Sequence, residues 1–288
     1  MAGTAVGFIG LGAMGSRMAA NLAAAGFDLV CYDAAGTAER APEGARCAGS
    51  VAEVAAGAEV VLLSLPDGRA VASVAEEMLA TNDRKVASVL DTSTIGVRAA
   101  RAAHEQFAGG RIAYLDAPVS GGIAGAAAAT IALMFAGPRE AYERLAPVIG
   151  AVSRKPFYIG AEPGQGQAMK LANNFLSGMA MTATSEAISF GLTQGLDPQM
   201  MIEVLNASSG QNTATSDKFP NRILNGRYDA SFLNTLYLKD LTLYVENVQA
   251  AGAPDLLSRT LLPVWQRFTE SEPGVDFTRI YPFVRDKK

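Results

Sequence analysis

Three glycines near the start of the chain, Gly10, Gly12 and Gly15, have the spacing G-x-G-x-x-G within GFIGLGAMGSRMAANL. They follow a short apolar run and precede a helix-like one, which is the context in which this motif binds a dinucleotide. The first glycine makes a tight turn, the second leaves room for a pyrophosphate, and the third lets the helix pack on the strand. The loop is therefore predicted to hold a dinucleotide through Gly10, Leu11, Gly12, Ala13, Met14 and Gly15.

An acidic residue, Asp33, ends the apolar stretch DLVCYD about twenty residues beyond these glycines. An acid at this place accepts hydrogen bonds from the ribose hydroxyls and repels a 2′-phosphate. No arginine follows it at once, since the next residues are AAGTAER. The sequence therefore predicts NAD as cofactor and disfavours NADP. A glycine turn that packs and binds nothing is the alternative, which the combination of strand, glycines, helix and acid disfavours.

Hydride transfer between an alcohol and a nicotinamide needs a group that takes or gives a proton. The single histidine, His104 in RAAHEQFAGG, is interpreted as a solvated helix residue. Lys170 and Asn174 in GQGQAMKLANNF are four residues apart and so share one face of a helix. Apolar surroundings and a nearby cation lower the pKa of a lysine, which helps it act as a base. From spacing alone, however, a surface lysine beside a packing asparagine is the stronger interpretation.

The elements that must position these residues follow a simple pattern in the first half of the chain. Short, nearly continuous apolar runs alternate with helix-like segments, many of them rich in alanine. Such runs fit parallel strands buried on both faces, and their alternation with helices predicts a doubly wound, Rossmann-type α/β sheet. The strand candidates are AVGFIG, DLVCYD, EVVLLSLP, KVASVLDTS, IAYLDAPVSGG, TIALMFAG and KPFYIG.

The pattern changes near Gly164, after which long helical runs follow and no further strand is predicted. In DPQMMIEVLN, Asp197 has the position of a helix N-cap and Pro198 that of the first helical residue. We therefore predict a dinucleotide-binding domain over residues 1–163 and an all-α domain for substrate binding and association over residues 164–288.

Composition excludes several classes of protein. With 288 residues and 49% hydrophobic content, the chain fits one large or two modest globular domains. The net charge is -4 and there is no basic run, so nucleic acid is not expected as a partner. Two cysteines and one histidine give neither a disulfide framework nor a Cys/His metal site, and Cys31 is expected in the core. No signal peptide or membrane-spanning run is recognised, which predicts a soluble, cytoplasmic protein.

Four stretches together resemble the β-hydroxyacid dehydrogenase family, which includes 3-hydroxyisobutyrate dehydrogenases and is related to 6-phosphogluconate dehydrogenase. They are GFIGLGAMGSRMAANL, LDAPVSGG, GQGQAMKLANN and LKDLTL, and they extend from Gly7 to Leu243 in family order. The resemblance implies a Rossmann domain joined by a long helix to an all-α domain, with the active site between them. It also implies a homodimer or homotetramer.

The resemblance also assigns roles to individual residues. It implies that Lys170 is the general acid/base and that Asn174 assists it. Ser120, Gly121 and Gly122 would bind the substrate carboxylate, because a hydroxyl and adjacent backbone N–H groups form an anion site. Without the resemblance, PVSGG would be interpreted as an ordinary turn.

Five further residues are expected at the cofactor. Ser93 and Thr94 follow a strand at its carboxyl end, where ligands of open α/β sheets bind. Leu65 and Pro66 end the preceding strand, and Lys239 in LKDL matches a family lysine at the cofactor or active-site cleft. A surface lysine paired with acids is the alternative for Lys239. One departure from the family pattern is Ala129, which stands where glycine is usual.

The leading interpretation is an NAD-dependent dehydrogenase that interconverts a short 3-hydroxy acid and its semialdehyde. The alternatives are an NADPH-dependent reductase of tartronate, succinic or glyoxylate-type semialdehydes, an imine reductase, and a non-catalytic dinucleotide-binding module. Asp33 argues against NADPH, Lys170 against an imine reductase, and Lys170 with Ser120 against a module without activity. Choice of substrate is expected to depend on the loop 206–220 and on the tail DFTRIYPFVRDKK.

Overall fold

The structure is a computed structural model that describes residues 5–286 of the chain. The chain divides into two compact units, Met1–Lys170 and Leu171–Lys288. The last two residues of the tail considered above lie outside the described residues.

The first unit is built on one mixed sheet. Its strands within the described residues are β1 Ala5–Ile9, β2 Asp28–Tyr32, β3 Arg46–Cys47, β4 Val60–Leu63, β5 Ser88–Asp91, β6 Ala113–Asp116, β7 Val119–Ser120, β8 Ala132–Ala136 and β9 Lys155–Gly160. The helices between them are α1 Gly15–Ala24, α2 Val51–Gly57, α3 Gly68–Ala80, α4 Val97–Gly109, α5 Gly122–Ala127, α6 Arg139–Arg144 and α7 Ala146–Val152.

The strand order is β3-β2-β1-β4-β5-β6-β8-β7, and β9 pairs with β8. The pairs from β3 to β6 are parallel, whereas β8 runs antiparallel to β6 and β7. Along β4, Leu62 belongs to one apolar cluster and Val61 and Leu63 to another. The sheet is therefore covered on both faces, which explains the continuous apolar runs in its strands.

The Rossmann-type first half predicted from the sequence is confirmed, and all seven strand candidates contain strands. The sequence did not predict β3 and did not separate β7 from β6, because two-residue strands carry no periodic signal. Cys31 is buried in the core as expected, and burial together with the neighbouring Cys47 raises its pKa to about 12.

The second unit is helical, as predicted. Its α-helices, with the one that leads into it, are α8 Gln165–Thr193, α9 Pro198–Asn206, α10 Asn234–Ala250, α11 Leu256–Ser271 and α12 Ile280–Arg285. The core contains Trp265, whose indole Nε1 donates a hydrogen bond of 3.0 Å to Thr182 Oγ1. Asp197 caps α9 by accepting from the Met200 N–H, as its position predicted. Between residues 165 and 286 there is no strand, only an isolated bridge between Leu233 and Asp276.

The long connecting helix predicted by the resemblance is α8, and the division between the units falls inside it. The two domains predicted from the sequence, 1–163 and 164–288, would meet at the start of this helix. These domain boundaries stay a prediction.

Two segments left open by the sequence take regular forms. Part of the 206–220 segment and the residues after it form a π-helix, Ala214–Ile223. The tail forms a short 3₁₀-helix, Phe277–Arg279, and then α12, and Phe277, Ile280 and Phe283 are buried in the core of the second unit. No helix within residues 5–286 is long and apolar enough to cross a membrane.

Candidate active site

The glycine loop joins β1 to α1, and its three glycines have different surroundings. Gly10 has φ +93°, and a Cβ there would lie 2.3 Å from the Ser64 carbonyl oxygen. A Cβ on Gly15 would lie 1.9 Å from the carbonyl oxygen of Gly10. A Cβ on the exposed Gly12 would meet nothing within 4 Å. Two glycines therefore allow close backbone packing, and the third borders open space, which is the cradle that a pyrophosphate requires.

Open space does lie in front of this loop, as a cleft with a volume of about 330 Å³. The cleft is lined by Leu11, Gly12, Ala13, Ser16, Arg17, Glu39 and Arg40. The amino end of α1 borders it, so backbone N–H groups and a positive end of the helix dipole favour an anion there. The residues present thus fit a dinucleotide.

Asp33, just after β2, is joined to the glycine loop. Its Oδ2 accepts a hydrogen bond of 2.6 Å from the Leu11 N–H, and its Oδ1 accepts one of 2.8 Å from the Ala35 N–H. Arg40 also approaches it, with Nη1 3.8 Å from Oδ1. Arg40 is the last residue of the stretch AAGTAER, which the sequence analysis judged too far along the chain from Asp33, but the chain turns back between the two residues.

The residues predicted to contact the cofactor at the carboxyl ends of β4 and β5 are linked by hydrogen bonds. The Leu65 N–H donates to Ser93 Oγ at 2.8 Å, and the Ser93 N–H donates to Asp91 Oδ1 at 2.9 Å. Ser93 is buried, Leu65 and Thr94 are half-buried, and Pro66 is exposed. Because β4 lies between β1 and β5, these residues and the glycine loop share one edge of the sheet.

Two buried carboxyl groups lie at this same edge, at paired positions of β5 and β6. Burial raises the pKa of Asp91 to about 6, although Ser93 and the Tyr114 hydroxyl, 2.7 Å from Oδ2, donate hydrogen bonds to it. Burial also raises the pKa of Asp116, and backbone N–H groups that include Gly164 oppose this shift. The sequence analysis gave neither carboxyl a role.

Asp116 and Gln167 fix the beginning of α8 to the sheet. Asp116 Oδ1 accepts from the Gly164 N–H at 2.9 Å, and Oδ2 accepts from the Gln167 N–H at 3.0 Å. The side chain of Gln167, fully buried, accepts from the N–H groups of Ile95 and Gly96 and donates to the Ser93 carbonyl oxygen. These hydrogen bonds hold the start of α8, the strand β6 and the segment 93–96 together just before Lys170.

Lys170 is itself buried, with 8% of its surface exposed, and belongs to the first unit. A buried lysine is uncommon, so this placement argues against the interpretation as a surface residue. His104, by contrast, is half-buried on α4 rather than fully solvated.

The glycine turn proposed for the substrate carboxylate follows β7. Ser120 is half-buried, and Gly121 and Gly122 are exposed, with φ of +139° and +66°. A Cβ on Gly122 would meet nothing within 4 Å, so space is open beside the turn. Ala129, where the family has glycine, also adopts a positive φ of +53°. Its local backbone is the one that a glycine would favour.

In the second unit, Asn174 is buried and oriented by an acidic residue that sequence analysis missed. Its Nδ2 donates a hydrogen bond of 2.7 Å to Asp240 Oδ2. Lys239 Nζ lies 3.2 Å from Asp240 Oδ1. The pairing of Lys239 with an acid agrees with the alternative considered for it. Asp240 lies within the quoted stretch LKDLTL, but its partner is 66 positions away in sequence.

Among residues 5–286 no cluster of three or more His, Cys, Asp or Glu side chains could hold a metal ion. The arrangement combines a glycine loop that fits a dinucleotide with a buried lysine. These features are the ones expected of dinucleotide-dependent oxidoreductases with a Rossmann domain.

Comparison with known proteins identifies the family. Residues 5–160 match the NAD binding domain of 6-phosphogluconate dehydrogenase. Residues 164–284 match the domain described as NAD-binding of NADP-dependent 3-hydroxyisobutyrate dehydrogenase. The chain belongs to the β-hydroxyacid dehydrogenase family, which confirms the resemblance, and it is an NAD(P)-binding oxidoreductase that acts on CH–OH donors.

Three relatives illustrate the likeness. A 3-hydroxyisobutyrate dehydrogenase of Pseudomonas aeruginosa is 36% identical, over 99% of both chains. An NAD-dependent L-serine dehydrogenase of the same species is 35% identical, over 91% of both. The solved structure of a Mycobacterium tuberculosis 3-hydroxyisobutyrate dehydrogenase with L-serine has a TM-score of 0.90 at 32% identity, covering 98% of this chain and 99% of that one.

Proposed function

We propose that this enzyme interconverts a short 3-hydroxy acid, such as 3-hydroxyisobutyrate or L-serine, and the corresponding semialdehyde, with NAD as its preferred cofactor. The observation that carries the proposal is the burial of Lys170 one turn beyond a helix start that Asp116 and Gln167 fix to the cofactor edge of the sheet. A lysine held in this way can exchange a proton with a substrate near the glycine loop.

In the proposed mechanism the chain positions the substrate and moves one proton. Ser120 and the glycines after it bind the carboxylate, and Asn174, oriented by Asp240, holds the hydroxyl. Lys170 Nζ takes the hydroxyl proton during oxidation and returns it during reduction. When bound, NAD supplies the acceptor for the hydride that leaves the hydroxyl-bearing carbon. The cofactor is also proposed to contact Leu65, Pro66, Ser93, Thr94 and Lys239.

Turnover of a panel of short 3-hydroxy acids with NAD, followed by NADH absorbance, tests the proposed reaction. The panel includes 3-hydroxyisobutyrate, L-serine and the 2-hydroxy isomers, and we expect activity only where the hydroxyl is on the third carbon. Activity confined to the 2-hydroxy isomers would contradict the proposal.

The preference for NAD should depend on the charge of Asp33. Asp33→Asn removes the charge and keeps one oxygen for the Leu11 N–H. The ratio of kcat/KM with NAD to kcat/KM with NADP should fall by about tenfold, the scale of a charge-assisted hydrogen bond. Steady-state kinetics with both cofactors measures it, and an unchanged ratio would remove Asp33 from cofactor selection.

Recognition of the substrate carboxylate should depend on Ser120. Ser120→Ala should raise KM by about tenfold, with a smaller effect on kcat, because a hydrogen bond to a charged group is lost. The amide of the substrate should be a poor substrate for the unaltered enzyme. Equal efficiency on the acid and on its uncharged amide would contradict this site. Gly122→Val is a less suitable variant, because φ +66° strains any side chain there.

Association into a homodimer or homotetramer is proposed for the second unit, which exposes several large apolar side chains. Leu176, Phe190 and Leu256 are 64%, 67% and 69% exposed. Burial of such residues against a second copy would remove apolar surface from water. Light scattering at micromolar concentration should give two or four times the chain mass, and Phe190→Glu should lower it. A monomer under these conditions would contradict the proposal.

A further inference from the structure

Tyr114, on β6, is a buried tyrosine whose hydroxyl is directed at a carboxyl group. It is 3% exposed, and its ring stacks on Phe107 of α4 with the ring centroids 5.7 Å apart. Tyr114 pairs with Val89 of β5, two residues before Asp91, so the side chains of Tyr114 and Asp91 share one face of the sheet. Burial and the neighbouring Asp91 raise the pKa of Tyr114, which therefore stays a hydrogen-bond donor.

A chain of hydrogen bonds leads from this hydroxyl to the backbone at the cofactor edge of the sheet. The Tyr114 hydroxyl donates to Asp91 Oδ2 at 2.7 Å, and Asp91 Oδ1 accepts from the Ser93 N–H at 2.9 Å. Ser93 Oγ also donates to Asp91, and it accepts from the Leu65 N–H at 2.8 Å. The Ser93 carbonyl oxygen accepts from Gln167 Nε2 at 2.9 Å. Asp91 therefore fixes a serine that is bonded both to the backbone after β4 and to the start of α8.

The surroundings of Asp91 support its ionised form only in part. The Tyr114 hydroxyl, the Ser93 hydroxyl and the Ser93 N–H are all donors, and a carboxylate can accept from all three. Burial opposes the charge, and Asp116, paired with Asp91 in the sheet, adds a like charge. The balance raises the pKa of Asp91 to about 6. A protonated Asp91 would present an O–H donor of its own to three donors, so the hydrogen bonds to Ser93 would have to rearrange.

The titratable groups on the neighbouring elements define what else could act on Asp91. On one side β4 presents only apolar residues, Val60–Leu63, and on the other β6 contributes Tyr114 and Asp116. The first titratable residue of α8 is Lys170. The helices α3 and α4 cover this face of the sheet with apolar side chains, and His104 on α4 is half-buried. The other charged residues of these two helices are exposed, namely Arg69, Glu76, Glu77, Arg98, Arg101 and Glu105.

We propose that Tyr114 is a positioning residue, whose hydroxyl holds Asp91 in the ionised form that orders Ser93 and, through Ser93, the Leu65 backbone at the cofactor edge. Binding of the reduced cofactor therefore weakens as the pH falls and Asp91 takes up a proton. The inference rests on the proposed function for the location of the cofactor. Tyr114 and Asp91 act through Ser93 and are assigned no contact with the cofactor.

Binding of NADH at different pH values tests the proposal without turnover, and so without the proton transfer assigned to Lys170. Fluorescence titration of the unaltered enzyme should show a loss of affinity as the pH falls through about 6, where Asp91 is protonated. Tyr114→Phe keeps the ring on Phe107 and removes the hydroxyl. The loss of affinity should then begin about one pH unit higher, the scale of one hydrogen bond to a charged group.

A second variant separates the proton from the hydrogen bonds. Asp91→Asn keeps the shape of the side chain and one oxygen, but it cannot take up the proton. It should bind NADH more weakly than the unaltered enzyme, with an affinity that no longer changes as the pH falls through this range. Thermal unfolding at each pH verifies that the variants are folded.

Two further variants serve as controls. Tyr142→Phe removes the hydroxyl of a half-buried tyrosine on α6 of the same unit and should leave the pH profile unchanged. His104→Gln removes the single histidine of the chain, and histidine is the side chain whose charge ordinarily changes near neutral pH. Its profile should also match that of the unaltered enzyme.

The outcomes separate this inference from the proposed function. The role of Tyr114 is overturned, while the cofactor site stands, if the affinity for NADH is constant with pH or if His104→Gln removes its pH dependence. It is also overturned if Tyr114→Phe keeps the original profile or loses the same factor in affinity at every pH, which is the result of a packing role. If the profiles are as expected but no 3-hydroxy acid is oxidised, the proposed reaction fails and the inference stands. If the unaltered enzyme binds no NADH at any pH, both fail.

Discussion

Replacing Lys170 by alanine should lower kcat for 3-hydroxy acid oxidation by about a hundredfold or more, the usual scale for loss of a general acid/base. The affinity for NADH should change little, because the glycine loop and Asp33, and not Lys170, are proposed to hold the cofactor. Steady-state kinetics and fluorescence titration with NADH measure the two effects separately. Lys155→Ala, which removes an exposed lysine from β9, is the matched control and should retain normal turnover.

Two further observations distinguish a proton-transfer role from a structural one. Lys170→Arg should not restore activity, because a guanidinium stays protonated and cannot act as a base. Lysine ordinarily titrates at about 10.4, so oxidation by the unaltered enzyme should accelerate as pH rises and more of the base is neutral. Aldehyde reduction, which needs the protonated amine, should be favoured at lower pH. Near-normal turnover of Lys170→Ala with an unchanged pH profile would make Lys239 the next candidate.

Replacing Gly12 by valine should abolish dinucleotide binding while leaving the fold intact. A Cβ at Gly12 meets no protein atom within 4 Å, so the side chain enters only the space proposed for the pyrophosphate. We expect the affinity for NADH to fall by about a hundredfold or more, because the phosphates lose their close approach to the backbone. Fluorescence titration measures the affinity, and thermal unfolding should give a transition close to that of the unaltered chain.

The other two glycines provide the contrast. Gly10→Val and Gly15→Val would each place a Cβ within 2.3 Å or less of a backbone carbonyl oxygen, so both should destabilise the first unit. If Gly12→Val binds NADH with unaltered affinity, the loop is a packing turn and not a cofactor cradle.

The longer strands and the glycine loop of the first unit were predictable because each short stretch of sequence indicates its own secondary structure. The run VVLL within EVVLLSLP is apolar throughout, as expected for a strand covered on both faces. The glycine spacing was equally informative, since each glycine satisfies a separate steric demand of one short turn. The two-residue strands β3 and β7 could not be predicted, because pairing with a longer neighbour, and no local pattern, makes them strands.

The contacts that orient the side chains of the candidate site could not be predicted from the sequence. Asp116 and Gln167 lie in the quoted stretches LDAPVSGG and GQGQAMKLANN, yet their hydrogen bond joins residues 51 positions apart. Asp240 is separated from Asn174 in the same way, and Arg40 reaches Asp33 only because the chain turns at Gly36. Periodicity reports which face of an element is buried, whereas these pairs depend on which elements become neighbours.

The most direct test of the proposed activity is to follow the hydrogen that leaves the substrate. The enzyme is incubated with NAD and with 3-hydroxyisobutyrate deuterated at the hydroxyl-bearing carbon, and the reduced cofactor is analysed by mass spectrometry. We predict reduced cofactor that carries one deuterium, formed together with the semialdehyde, and a much slower reaction with Lys170→Ala. Reduced cofactor without deuterium, or no reduction with any 3-hydroxy acid of the panel, would contradict the proposal.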